Sequence, residues 1–212
     1  MTEAQDLETA ATELGVHLQS AQAERLLQFA ALLRRWNAAF NLVSRRDLPR
    51  LVARHLLDSL SLAPMLRGAR MMDLGTGAGL PGLPLAIACP DVDFTLIDRS
   101  ERRIRFVRQA TFELGLSNVT AVAGDYVDFR GGGEFDTVVS RAVAKPAALW
   151  RVAVSILKSD GQALFQTGAN ERDVASVAAD VECVAVRIPG LARPHQVLRV
   201  RRRGLEPKDA DR

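Results

Sequence analysis

Residues 71 to 82, Met71-Met72-Asp73-Leu74-Gly75-Thr76-Gly77-Ala78-Gly79-Leu80-Pro81-Gly82, join a short apolar run ending in a carboxylate to a loop rich in glycine. Glycines at alternate positions allow positive φ and leave no Cβ between main chain and ligand, which suits close approach of a bulky adenosine-containing molecule. Asp98 closes a second apolar run, Phe94-Thr95-Leu96-Ile97, where a neighbouring parallel strand would set a carboxylate beside a ribose diol. The chemistry on offer is the binding of a nucleoside-type cofactor between two strand ends.

Two cofactors fit such a loop. From Gly77 the segment Gly77-Ala78-Gly79-Leu80-Pro81-Gly82 matches G-x-G-x-x-G, the dinucleotide fingerprint, in which a helix N-terminus holds a pyrophosphate. From Asp73 the segment Asp73-Leu74-Gly75-Thr76-Gly77-Ala78-Gly79 gives D/E-x-G-x-G-x-G, the pattern of S-adenosylmethionine-dependent methyltransferases. A carboxylate at the strand end would repel a pyrophosphate but attract a sulfonium and an ammonium, so the second frame is favoured. A dinucleotide-dependent oxidoreductase and a non-catalytic RNA-binding protein remain the alternatives. The first would want a Tyr-Lys or His-Asp pair, and the lone tyrosine, Tyr126, has no lysine near it in sequence.

The elements that must position these residues follow from periodicity. Leu26, Phe29, Ala30, Leu33, Trp36 and Phe40 recur at helical spacing, so residues 20–40 form an amphipathic helix. Asn41-Leu42-Val43-Ser44 breaks it, and Asp47-Leu48-Pro49 starts a second helix that runs to about Leu66 and buries Leu51, Val52, Leu56 and Leu60. Strands are expected at 70–74, 93–97, 119–122, 135–139, 161–166, 181–188 and 196–201, with helices at 82–88, 101–114, 146–157 and 170–179. This alternation predicts an α/β fold, a doubly wound parallel sheet with right-handed crossovers. The last two strands are joined by too few residues for a crossover helix, so they pair antiparallel. Residues 1–66 read as an N-terminal helical extension, 67–203 as the cofactor-binding domain and 204–212 as a disordered tail.

With 212 residues the chain is long enough for a full core. Cys89 and Cys183 make neither a disulfide framework nor a metal cluster, which points to a reducing cytoplasm. No apolar run reaches the ~20 residues of a membrane span, and a monomer with no membrane partner is expected. The net charge is only +3, but of the 28 basic residues just Lys145, Lys158 and Lys208 are lysines. Arginines cluster at 34, 35, 45, 46, 50 and 54, at 102, 103, 105 and 108, and at 199 and 201–203. Guanidinium forks bind phosphate bidentately, so the clusters favour RNA as a partner.

Asn41-Leu42-Val43-Ser44, Arg54-His55-Leu56-Leu57-Asp58-Ser59, the segment from Asp73 through Leu80-Pro81-Gly82-Leu83-Pro84-Leu85, and Ser140-Arg141-Ala142 together resemble the bacterial small-subunit ribosomal RNA guanine-N7 methyltransferases, once called glucose-inhibited division protein B. The resemblance runs from about residue 20 to 200. It departs at the end of the fifth strand, where the family usually has Lys-Gly and this chain has Gln166-Thr167-Gly168.

The resemblance implies a class I methyltransferase sheet, S-adenosylmethionine as cofactor, and N7 of a guanine in 16S ribosomal RNA, in the 530-loop region, as target. Ribosomal RNA or the small ribosomal subunit is then the partner. Guanine N7 is a lone pair with no proton to remove, so alignment should dominate, with no covalent intermediate, metal or general base. The family's loop implies that Gly75, Gly77 and Gly79 line the methionine and ribose, with Leu80 beside them. Asp73 would favour the cationic methionine end, Asp98 would accept from the ribose, and Asp125, Tyr126 and Val127 would frame the adenine. Arg141, after the fourth strand, is the residue expected to link cofactor and target base. His55 and Asp58, three apart on a helix, either meet the site or bond helices together; Asn41 and Ser44 either cap and break a helix or touch substrate.

Overall fold

The computed structural model describes residues 2–130, 134–141, 144–167 and 179–204. Strands β1 (Arg70–Leu74), β2 (Asp93–Asp98), β3 (Val119–Ala123), β4 (Phe135–Arg141), β5 (Leu157–Gln166), β6 (Ala179–Val186) and β7 (His195–Arg202) form one sheet in the order β3-β2-β1-β4-β5-β7-β6. β1 to β5 run parallel, and β7 lies antiparallel to both β5 and β6. The expected doubly wound sheet with a reversed last strand is thus present. The expected helix at 170–179 falls mainly outside the described residues, as does the tail beyond residue 204.

Strand order reverses beside β1, with β2 on one side and β4 on the other. The chain leaves β1 for β2 on one side and returns from β3 to β4 on the other, so a crevice opens at the carboxyl ends of these strands. Asp73, Asp98 and Arg141 all stand at those ends, Asp98 and Arg141 as the last residues of their strands and Asp73 as the last but one. Reversal of β7 brings its first residue, His195, to the same end, where it pairs in register with Val186.

Period-two alternation sorts the strand side chains onto two faces. Met71, Phe94, Leu96, Val139 and Leu164 join one apolar cluster, and Met72, Leu74, Ile97, Val138 and Phe165 the other. The first face is covered by α1 (Glu3–Glu13), α2 (Ser20–Phe40), α4 (Gly82–Ala88) and α5 (Glu101–Glu113); the second is covered by α6 (Pro146–Ile156). The N-terminal helices therefore share a core with the sheet. Phe29 of α2 packs on Phe106 of α5 with ring centroids 6.3 Å apart, and Trp36 adds a second contact to the same ring at 5.5 Å. Burial of each such ring stabilises the docking by roughly 1.5–3 kcal/mol.

α1 was not evident in the periodicity because its buried residues, Leu7 and Ala11, leave little apolar contrast. Its start is set by a capping box between Thr2 and Gln5. α2 ends where Asn41 takes the left-handed conformation at φ 47°, and Asn37 Oδ1 accepts from the Val43 amide at 2.8 Å. Asn41 is thus a cap, which leads the chain out toward the crevice.

The single helix expected from Asp47 to Leu66 is instead a broken series: a 3₁₀ turn at Leu48–Arg50, a π-helical turn at Val52–Leu57, α3 (Asp58–Leu60) and a second 3₁₀ turn at Ala63–Met65. Leu51, Leu56 and Leu60 are buried as expected, whereas Val52 is only partly so. The wider π turn changes the angular spacing of its side chains. It lets Leu56 and Leu57 enter the core while Arg54, His55 and Asp58 face the sheet ends.

Candidate functional site

The loop after β1 wraps around the Asp73 carboxylate. Asp73 Oδ2 accepts from Thr76 Oγ1 at 2.6 Å and from the Gly82 amide at 3.0 Å. Asp73 is fully buried, and this raises its pKa to about 6 against the opposing pull of those two hydrogen bonds. Space explains two glycines: a Cβ at Gly82 would come within 2.9 Å of Asp73 Oδ2, and one at Gly79, where φ is 76°, would collide with Leu83. Asp73 is therefore placed beneath the loop, gripping it from below and outside the cavity lining, where its charge can act on a cationic ligand only through the loop. Gly79 likewise shapes the turn without lining the cavity.

Above the loop lies a cavity of about 440 Å³. Gly75, Gly77, Leu80, Asp98, Asp125, Tyr126, Val127 and Arg141, all expected from sequence, line it. A Cβ on Gly77 would meet only the Gly75 carbonyl, at 3.9 Å, so this part of the loop lies open to a ligand. Asp98 is held from both sides: Oδ2 accepts from the Gly77 amide at 2.9 Å and Oδ1 from the Ser100 amide at 2.8 Å, with Arg103 at 3.4 Å. Fixed this way, its remaining lone pairs are available to hydroxyl donors. Asp125 Oδ1 accepts from the Val127 amide at 3.0 Å and caps the turn that carries Tyr126. Burial and the neighbouring Asp125 push the Tyr126 phenol up from its ordinary pKa, so it stays protonated.

These residues fit S-adenosylmethionine. Two carboxylates, an open glycine loop and a partly apolar rim suit an adenosine bearing cations. A pyrophosphate fits less well, because the Gly82 amide at the start of α4 is already committed to Asp73.

A second cavity, of about 530 Å³, adjoins the first, and Arg141 lines both. Asp58 is its anchor: Oδ1 accepts from His195 Nδ1 at 2.6 Å, and Oδ2 stands 3.6 Å from the Arg141 guanidinium. Arg54 donates to His195 Nε2 at 3.2 Å, and Gln166 Nε2 donates to the Asp58 carbonyl at 2.6 Å. Arg141 NH1 lies 3.1 Å from His55 Nδ1. Burial and then the Arg141 charge lower the His55 pKa to about 4, so this imidazole is neutral. His55 and Asp58 thus both reach the site; each bonds across to the sheet, through Arg141 and His195, and not to the other.

Several lining residues were not assigned to the site from sequence. Thr76 and Ala78 lie between the expected glycines, Arg99 directly follows Asp98, and Arg103, one of the clustered arginines, lies in the first turn of α5. Leu42 and Val43 explain the Asn41-Leu42-Val43-Ser44 motif: the cap at Asn41 turns the chain so that these two side chains close the cofactor cavity. Asp47, Arg54 and His195 belong to the second cavity, and only the fold brings His195 to Asp58. Among the described residues no group of three or more His, Cys, Asp or Glu could hold a metal ion, and no helix is long and apolar enough to cross a membrane.

Solved structures share this architecture. A putative S-adenosyl-L-methionine-dependent methyltransferase from Methanococcus maripaludis aligns with a TM-score of 0.59 over 84% of this chain and 94% of its own, at 14% identity. A SAM-dependent methyltransferase from Aquifex aeolicus aligns with a TM-score of 0.55 over 72% and 93%, at 15% identity. At the sequence level, the ribosomal RNA small subunit methyltransferase G of Chromohalobacter salexigens is 41% identical over 203 residues, covering 92% of this chain and 96% of that protein. The protein of the same name from Methylococcus capsulatus is 43% identical over 188 residues, covering 87% and 92%. The family model described as rRNA small subunit methyltransferase G matches residues 22–189, and by that match and these identities the chain belongs to the rRNA small subunit methyltransferase G family.

Proposed function

We propose that this chain transfers a methyl group from S-adenosylmethionine to N7 of a guanine in the RNA of the small ribosomal subunit. The observation that carries the reading is Arg141, which lines both the nucleoside-type cavity and the polar cavity beside it. When bound, the cofactor supplies an electrophilic methyl; the residues around it supply alignment and charge. Asp98 orients the ribose side, and Asp125, Tyr126 and Val127 frame the adenine side. Leu42, Val43 and Leu80 cover the cavity with apolar surface and keep water out.

The base side is built for a group that gains positive charge. N7 carries no proton, so no base is needed to remove one, and the methylated guanine is cationic. Asp58 and Asp47 present carboxylates to the second cavity, where they favour that charge as it develops. Arg141 is directed away from this role by its contacts with Asp58 and His55, which suit it to a phosphate, a carbonyl edge or the cofactor. The arginine clusters supply the counter-charge for the RNA backbone, and the chain acts as a monomer in the cytoplasm.

The test is incubation with methyl-labelled cofactor and either naked 16S RNA or small subunits that lack the modification, followed by mapping of the labelled base. One 7-methylguanosine per RNA is expected, with a rate that falls steeply between low and moderate salt as phosphate contacts are lost. Label on an exocyclic amine, on a ribose or on no nucleotide would refute the reading.

A further inference from the structure

Guanine and adenine both carry N7, so an enzyme that methylates this atom in only one of them must distinguish them elsewhere on the base. The distinction lies at positions 6 and 1. Guanine offers an acceptor, O6, beside a donor, N1–H; adenine offers a donor, the 6-amine, beside an acceptor, N1. A protein donor set next to a protein acceptor matches the first edge and opposes the second twice.

Asp47 and His55 form such a pair on the lining of the second cavity. The guanidinium of Arg141 can only donate, so His55 Nδ1, 3.1 Å away, accepts and the ring hydrogen resides on Nε2. His55 is only 6% exposed, and its Nε2 has no hydrogen-bond partner among the described residues. Asp47 Oδ2 stands 4.0 Å from it, beyond hydrogen-bonding length. Asp47 is held loosely as well: Arg50 and Arg54 stand 3.7 Å from its other oxygen, and its side chain is 21% exposed. A buried donor without a partner and a partly exposed carboxylate therefore stand side by side; Nε2 is closed to solvent in this structure, so a base reaches it only when the side chains covering it shift. The low pKa of His55 keeps the ring in the neutral form that this arrangement requires.

We propose that Asp47 and His55 read the O6–N1 edge of the target guanine, His55 Nε2–H donating to O6 and the Asp47 carboxylate accepting from N1–H. This rests on the guanine-N7 reading above. Arg141, on the wall between the cavities, keeps His55 Nδ1 as an acceptor and so fixes which ring nitrogen carries the hydrogen. Asp47 contributes one thing more: a negative charge beside the base as it becomes cationic.

The experiment compares the wild type with Asp47→Asn on small subunits that lack the modification and carry either guanine or adenine at the mapped position. The carboxamide can turn a donor toward N1, so it weakens the match to guanine and relaxes the clash with adenine. Asp47→Asn should melt like the wild type and bind S-adenosylmethionine within about twofold, yet lose roughly 10- to 100-fold in kcat/KM on guanine subunits. The guanine-over-adenine ratio should narrow by about tenfold or more; intrinsic differences between the bases cancel in comparing the two proteins. A guanine rate within twofold of wild type, an unchanged ratio despite a lower rate, or a parallel loss of cofactor affinity would overturn the assignment. Failure of the wild type itself to form 7-methylguanosine would instead remove the reading on which it rests.

Discussion

Replacing His55 by asparagine should leave a distinctive trace in the pH dependence of folding. The unfolded imidazole titrates near 6.5, whereas burial and Arg141 hold the folded one at about 4. Between those values the unfolded chain binds a proton that the folded chain refuses, so folded stability is lost as pH falls below 6.5. At pH 5 the loss is about 2 kcal/mol, approaching about 3 kcal/mol below pH 4. Asparagine does not titrate, and its carboxamide oxygen can still accept from Arg141. Its fixed cost in lost packing is the same at pH 7 and pH 5 and cancels when the two are compared. Urea unfolding followed by tryptophan fluorescence, with reporters at Trp36 and Trp150, should therefore show the variant gaining about 2 kcal/mol on the wild type between pH 7 and pH 5, or about 4–8 °C in Tm. The comparison must be between proteins, because Asp73 works in the opposite sense. Its folded pKa of about 6 lies above the unfolded 3.8, so it adds stability at low pH that is lost as pH rises through 4 to 6, masking His55 in the wild type alone. A stability gap constant within about 0.5 kcal/mol across this range would refute the claim that the folded site excludes the His55 proton.

Asp98→Ala should weaken S-adenosylmethionine binding by about tenfold or more in calorimetry, since a fixed ionised acceptor is removed; unchanged affinity would take Asp98 out of the site. Because the cofactor is cationic and Asp73 is ionised only above about pH 6, cofactor affinity should fall severalfold between pH 7 and pH 5 in the wild type and stay flat in Asp73→Asn, as read by the same titration. Arg141→Ala should keep its melting temperature within a few degrees while losing roughly 10- to 100-fold in turnover, and Arg141→Lys should recover only part of it; full activity in the alanine variant would leave Arg141 a structural group.

Much of this site was written locally. The glycine loop, Asp98 and the Asp125-Tyr126-Val127 turn are each contiguous in sequence and sit at strand ends that alternation alone locates, so their convergence on one crevice followed from the doubly wound plan. Arg141 was legible for the same reason. Asp73 was legible as the carboxylate that leads into the loop, but its grip on that loop was not, because the grip depends on Thr76 and Gly82 folding back over it. The segment from Leu48 to Met65 read as one helix because its buried leucines satisfy helical spacing; nothing in that pattern announces a π turn. The second cavity was least visible. Its members come from the broken helix, β4, β5 and the start of β7, and a hydrogen bond such as that between Asp58 and His195 exists only once the reversed strand is in place.

That reversed strand has a consequence for how such enzymes can diverge. A purely parallel sheet delivers only strand ends to the crevice, so every functional loop there also begins a crossover and is constrained by the helix that follows. β7 instead enters the crevice from a hairpin connection, residues 187–194, that carries no crossover and leads straight into His195. Lengthening or rewriting this connection changes one wall of the second cavity, at Pro194 and His195, while the glycine loop, Asp98 and their packing stay untouched. Sequence drift in relatives of this chain should therefore be free to reshape that wall without disturbing the loop of the first cavity, with Arg141 the shared residue that must be kept.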